Sequence, residues 1–254
     1  MDEIQSEKLR FRLIDGIRGI CVLGMVIYHT LFDIVAFFGN ASDSSLLTAL
    51  DFIRDFGAAV FILVSGFCFS FCSHRLRRFL ILFFAGVIVT AATYIVMPES
   101  YVIFGILTFM AFSGGIMIFA DKLLKYVPPL FGCILCVVSF FVLFRMNYAY
   151  IGTYGTVFCY LPFSLYKNYF TAFFGFPFNG FISGDYYPLF PWMFIYTAGY
   201  FLKKITDKSV KAKKLMLVKI PFFDKVGKYS LYIYLAHQPV VYCIVWLAYV
   251  IINK

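Results

Sequence analysis

Charge is what this chain has least of. Asp, Glu, Lys and Arg make up 14% of its 254 residues, against 62% hydrophobic residues and a mean hydropathy of +0.86. A soluble domain of this size does not have such a composition, so a soluble globular fold is excluded and a polytopic membrane protein is expected. Net charge is +9, yet the basic residues sit in short connections between apolar runs, so no nucleic-acid partner is expected. An even set of cysteines is also lacking. The seven are Cys21, Cys68, Cys72, Cys133, Cys136, Cys159 and Cys243, most of them inside apolar runs, and they read as reduced, small apolar residues. Cys133 and Cys136 form a C-x-x-C with no histidine nearby, and no metal is expected. Met1 to Lys8 is mixed in charge and no small-residue cleavage site follows, so no cleavable signal peptide is expected. Internal repeats and low-complexity tracts are missing as well.

What the chain does have is a series of apolar windows. They predict an all-α fold, a polytopic membrane helix bundle forming a single domain over 1–254, with about seven transmembrane helices. The windows run at about 12–38, 50–72, 77–97, 101–120, 129–146, 186–202 and 229–251. Lysine and arginine then set the orientation. One set of connections carries Lys8, Arg10 and Arg12, then Arg75, Arg77 and Arg78, then Lys122 and Lys125, then nine lysines between 203 and 228. The other set has Arg145, Lys167 and Lys254. That imbalance predicts a cytoplasmic N-terminus and a C-terminus outside, with the bilayer as partner. Tyr148 to Gly184, rich in aromatics, Gly and Pro, reads as an outer loop with a re-entrant or interfacial helix. The block 203–228 reads as a solvated positive-inside anchor or as a site for acidic headgroups or a phosphorylated cofactor.

The first helix breaks the apolar rule. With Arg18 at zero and about 100° per residue, Asp15 falls near +60°, His29 near +20° and Asp33 near +60°, so four ionisable residues share one stripe. Such groups cost about 2.5–3.5 kcal/mol each at membrane depth and normally face a bundle interior or a wet cavity. Arg18 and His29 lie about 16 Å apart along the helix, which splits the stripe into an inner pair, Asp15 and Arg18, and an outer pair, His29 and Asp33. The i, i+4 spacing lets His29 and Asp33 meet. A carboxylate beside an imidazole fixes its tautomer, as a general base requires, and the same pair would also serve as a structural contact between two polar groups.

Three other places carry polar groups. Arg54 and Asp55 enter the second helix at the outer level, as a snorkelling pair or a substrate contact. Gly57, Ala58, Ala59, Ser65 and Gly66 of the same helix suit close packing. Asp185 precedes the sixth helix as a natural cap or an outer site residue. In the last helix, Tyr234, His237 and Gln238 lie near mid-membrane, and Pro239 frees the carbonyl of Leu235 to make a polar kink. Ser230, Tyr234 and His237 share a face.

These stretches together resemble a family. FRLIDGIRGICVLGMVIYH with Asp33, FILVSGFCFSF followed by Arg77 and Arg78, VIFGIL at 102–107, DYYPLFPW at 185–192 and VGKYSLYIYLAHQPV at 226–240 are similar to bacterial membrane proteins grouped with the catalytic domain of heparan-α-glucosaminide N-acetyltransferase. The resemblance runs over roughly residues 10–245. The Arg18-to-His29 spacing and SLYIYLAHQPV also look like integral-membrane O-acyltransferases of bacterial surface glycans. The resemblance implies a bacterial plasma-membrane acyltransferase. It would take an acetyl or other acyl group from cytoplasmic acetyl-CoA or another acyl-CoA to a hydroxyl or amine of an extracytoplasmic carbohydrate, with room for a homodimer.

On this reading His29 and Asp33 are catalytic. Asp15, Arg18, Tyr234, His237 and Gln238 bind the cofactor or its thioester, and Arg54, Asp55 and Asp185 hold the sugar. Two departures stand out. Relatives often read FGILH where this chain has Thr108, and the connection at 39–49 lacks the histidine the eukaryotic enzyme carries after its first helix. Any catalytic imidazole is then His29 or His237. Two other classes fit the same stripe: a small-solute or proton-coupled transporter, without the inverted repeats or paired broken helices common in that class, and a non-catalytic membrane relative.

Overall fold

The computed structural model describes residues 11–39, 44–153 and 155–252. Lys8, Arg10, Lys254 and residues 40–43 of the first connection lie outside them. The described helices are α1 (Arg12–Phe38), α2 (Ser44–Cys68), α3 (Arg75–Val96), α4 (Ile106–Leu124), α5 (Pro129–Leu143), α6 (Tyr169–Phe174), α7 (Leu189–Lys208), α8 (Val210–Met216), α9 (Phe223–Lys228) and α10 (Ser230–Ile252). Between α5 and α6 lies an antiparallel hairpin of β1 (Tyr150–Thr153) and β2 (Thr156–Tyr160). The protein is an all-α polytopic membrane protein.

Among the described residues, six helices are long and apolar enough to cross a membrane: α1, α2, α3, α4, α5 and α10. α7 stands where the sequence puts the sixth span. It is 20 residues long and less apolar, because Lys203, Lys204, Asp207 and Lys208 occupy its last turns. α1 and α10 run parallel. Their contacts climb in step, Arg18 with Ser230, His29 with His237, Asp33 with Gln238, and Phe37 with Tyr242 and Tyr249. A parallel first and last span fits the odd number of crossings that the sequence leads one to expect.

The chain forms two compact units, Met1–Val64 with Ser209–Lys254, and Ser65–Lys208. In the first, α1 packs on α10 and on the short α9. The approach to α9 is backbone on backbone. A Cβ at Gly19 would stand 2.1 Å from the carbonyl oxygen of Phe223, and one at Gly227 would stand 1.8 Å from that of Asp15. Only glycine fits there, so the DGIRG and VGK stretches interlock through bare backbone. The α10 residues buried in the unit, Ser230, His237, Val241 and Val245, form one stripe at helical spacing.

The second unit buries α7 most completely. A Cβ at Gly66 of the α2 C-terminal turn would stand 1.8 Å from the Tyr196 carbonyl oxygen. The expected close packing at Gly66 is therefore present, whereas Gly57 faces open space. Asp121 of α4 accepts hydrogen bonds from Arg75 at 3.1 Å and from the Tyr200 hydroxyl at 2.6 Å, tying α3, α4 and α7 together. Thr108 packs on Gly86 of α3, where an added Cβ would meet its Oγ1 at 2.6 Å.

The stretch 148–184 departs from the expected interfacial helix. Its β-branched and aromatic residues form the hairpin instead, with a bulge between Ile151 and Gly152, and its α-helical part is the six residues of α6, after a 3-10 turn at Phe163–Leu165. Asn168 and Thr171 make a reciprocal capping box there, and Gly175 closes the helix at φ +111°. Tyr186 donates to the Ala172 carbonyl at 2.5 Å, and burial pushes its phenol well above the usual tyrosine range.

Candidate active site

The polar stripe of α1 meets α10 at two levels. At the inner level, Arg18 Nη2 donates to Ser230 Oγ at 3.1 Å, and its Nη1 lies 3.9 Å from Asp15 Oδ1. Ser230 is buried at the first residue of α10. One bond to a hydroxyl leaves most of the five guanidinium donors for another ligand. Asp15 also stands in the first turn of α1, where the helix dipole favours an anion.

At the outer level the sequence expectation and the structure part company. His29 and Asp33 do not pair. Asp33 is 4% exposed, and both its carboxylate oxygens accept from Gln238 Nε2, at 3.5 and 3.4 Å. The His29 ring lies against His237 instead, with centroids 4.9 Å apart and planes tilted by 53°, and against the edge of Tyr28. The physical reason is that α10 presents His237 and Gln238 at the same height as the pair on α1. Each group on α1 then finds a partner across the seam rather than one turn along its own helix. His237 is buried, and its Nδ1 lies 2.6 Å from the Tyr234 carbonyl, one residue before the carbonyl that Pro239 frees. Tyr234 thus contributes its backbone to this level, and its ring centroid lies 5.4 Å from that of His237.

Arg54 and Asp55 form a tight pair, Nε to Oδ1 at 3.0 Å, inside a larger cluster that the sequence reading missed. Arg54 Nη1 also donates to Asp51 at 2.8 Å and to the Tyr28 hydroxyl at 3.2 Å, and Tyr28 donates to Asp51 at 3.3 Å. Tyr28 connects the cluster to His29, its chain neighbour. It was hidden because it stands about 100° off the charged stripe, on a face read as plain apolar helix. Asp51, three residues before Arg54, carries the i, i+3 signal that identifies it.

Asp185 belongs to the second unit, and there it caps a different helix from the one expected. Its Oδ2 accepts from the Ile106 amide at 3.3 Å, so it satisfies the first turn of α4 from 79 residues away. The second unit also holds a small recess of about 10 Å³, lined by Phe69, Cys72, Arg75, Arg78, Gly114 and Tyr196 among others. Arg75 lies over the Phe69 ring at 4.3 Å and is neutralised by Asp121, while Arg78 adds a second guanidinium to the lining. Among the described residues no group of three or more His, Cys, Asp or Glu is placed to hold a metal ion.

A family model described as heparan-alpha-glucosaminide N-acetyltransferase, catalytic, matches residues 10–239, a stretch that contains every residue of both levels. No curated protein and no solved structure matches the chain. The match covers most of the sequence, and the chain therefore belongs to the heparan-alpha-glucosaminide N-acetyltransferase catalytic family of multi-pass, acetyltransferase-like membrane proteins.

Proposed function

We propose that this protein transfers an acetyl or other acyl group from cytoplasmic acyl-CoA to a hydroxyl or amine of a carbohydrate on the far side of the membrane. The observation that carries this reading is the seam itself. One pair of parallel helices presents a basic station, Arg18 with Ser230, and an imidazole station, His29 with His237, about 16 Å apart along α1. A two-sided transferase has to hold a polyanionic donor at one face and activate a nucleophile deeper in.

In this scheme Arg18, with Asp15 setting its orientation, holds the phosphates of CoA through charge-assisted hydrogen bonds, with the basic inner loops adding positive charge. The acyl arm runs along the seam past Tyr234 to the imidazoles, with Gln238 beside the thioester carbonyl. His29 removes the proton from the sugar's nucleophile or carries the acyl group transiently. Asp33 fixes Gln238 and through it the height of α10. Arg54, Asp55 and, from the second unit, Asp185 are assigned to the sugar. The N-terminus is cytoplasmic, the C-terminus outside, and the membrane a bacterial plasma membrane. The two units act as one domain, a reading supported by a family match that runs through both, and a homodimer is the assembly we expect.

The test is transfer of radiolabelled acetyl from acetyl-CoA to mixed sugar acceptors by protein in lipid nanodiscs. Wild type is expected to label an acceptor, and His29→Ala to lose about 10²–10⁴-fold of the rate while unfolding at an unchanged temperature. Labelling by the variant at the wild-type rate would remove His29 from the chemistry. A wild type that neither labels acceptors nor gains thermal stability from acetyl-CoA would return the stripe to an ion path or a binding role.

A further inference from the structure

His237 carries a lone pair whose direction the fold dictates. A carbonyl oxygen only accepts, so the 2.6 Å contact with Tyr234 puts the hydrogen on Nδ1. The neutral ring then keeps its lone pair on Nε2. That atom is buried and has no hydrogen-bond partner among the described residues. A buried acceptor left unmet keeps its full desolvation penalty, so its position asks for a donor. The His29 ring lies against that of His237, centroids 4.9 Å apart and tilted by 53°, and the Asp33 carboxylate one turn from His29 is already engaged by Gln238.

We propose that His237 is the positioning partner of His29. Its Nε2 accepts a hydrogen bond from one ring N–H of His29, fixing the tautomer so that the lone pair of the other His29 nitrogen faces the reacting groups. The inference rests on the acyl-transfer reading for its purpose but not for its geometry. His237 fills the place that a carboxylate fills in a Ser-His-Asp triad, but as a neutral group. A neutral partner suits this depth, because burying an ion pair carries a desolvation penalty that its Coulomb energy often fails to recover. A modest turn of the His29 ring about its Cβ–Cγ bond shortens the contact, as hydrogen bonds at empty active sites commonly do when substrate arrives. Asp33 and Gln238 then act as the latch that holds the two rings at one height.

The chain has three histidines, His29, His74 and His237, which makes the pair directly observable. Protein labelled with ¹⁵N-histidine in nanodiscs is expected to show His237 protonated at Nδ1, with an unprotonated, hydrogen-bonded Nε2 whose resonance shifts in His29→Phe. A proton on Nε2, or a resonance indifferent to His29→Phe, overturns the proposal, and neither outcome depends on activity. In the transfer assay, His237→Leu fills the volume without an acceptor, whereas His237→Gln restores a carbonyl. Leu is expected to lower kcat about 100-fold with KM for acetyl-CoA unchanged, and Gln at most about 10-fold. A role in packing alone predicts that Leu does as well as Gln or better, and that result also overturns it. Absence of transfer by wild type, with the NMR pattern present, would defeat the acyl-transfer reading and leave the pair standing.

Discussion

The two ends of the α1–α10 seam are held by different physics. At the inner end, α1 and α9 touch backbone to backbone, with Gly19 under the Phe223 carbonyl and Gly227 under that of Asp15. At the outer end, no glycine is involved. The helices are joined by side chains alone, Asp33 to Gln238 and His29 to His237. A backbone contact has no rotamers and tolerates no added atom, so the inner end is a fixed pivot. Side-chain contacts between imidazoles and amides can rotate and exchange partners. On the proposed function, that arrangement would anchor the end assigned to the donor and leave the end assigned to the chemistry adjustable.

The largest expected effect tests the pivot. Gly227→Ala puts a methyl where a carbonyl oxygen stands, and the clash has backbone on both sides. It is expected to cost about 3 kcal/mol or more, at or beyond the upper end of overpacking penalties, read as a fall in unfolding temperature in detergent. A variant as stable as wild type would mean that α9 is free to move off α1. The outer end should be softer. Asp33→Leu leaves the Gln238 amide without its acceptor and is expected to cost about 1–2 kcal/mol, with Asp33→Asn costing less than half as much. Equal losses for Leu and Asn would show that the contact works through shape and not through hydrogen bonding. Ser230→Ala removes the Arg18 partner and should cost about 1 kcal/mol, since one hydrogen bond is lost while the guanidinium still has Asp15 nearby. On the proposed function, protection by acetyl-CoA against unfolding is expected to survive this change and to fall in Arg18→Ala. The smallest effect has the opposite sign. Gly57 has nothing within 4 Å, so Gly57→Ala should stabilise α2 by about 0.5–1 kcal/mol through helix propensity. Set beside Gly227→Ala, it separates a glycine that is needed from one that is only present.

Much of the candidate site was legible along α1. Periodicity alone puts Asp15, Arg18, His29 and Asp33 on one face, and the structure turns that face to α10. The partners were harder to see. The i, i+4 rule pairs His29 with Asp33, yet Gln238 and His237 take them from 205 and 208 residues further along the chain, and no local pattern encodes which of several polar groups at one height will meet. Tyr28 was hidden for a related reason. Its ring looks apolar in a helical wheel, while its hydroxyl reaches past the helix to Asp51 and Arg54. Asp185 shows the same limit, since a carboxylate just before a helix reads as that helix's cap but donors elsewhere can claim it. The hairpin was missed because its short strands, rich in Tyr, Val and Thr, carry too few residues for a period to emerge among so many aromatics.

The sequence by itself determined that the chain lives in a membrane, where its spans lie, that a charged stripe runs through the first of them, and which family it joins. Those properties follow from composition and local periodicity, because lipid forces every backbone group into helices and every charge away from the hydrocarbon. Only the tertiary structure decided how the stripe is satisfied. The parallel run of α1 and α10 sets His237 against His29 and Gln238 against Asp33, and the glycine contacts with α9 fix the height at which they meet. A long-range choice among polar partners is made by helix packing, and packing is a property of the whole fold.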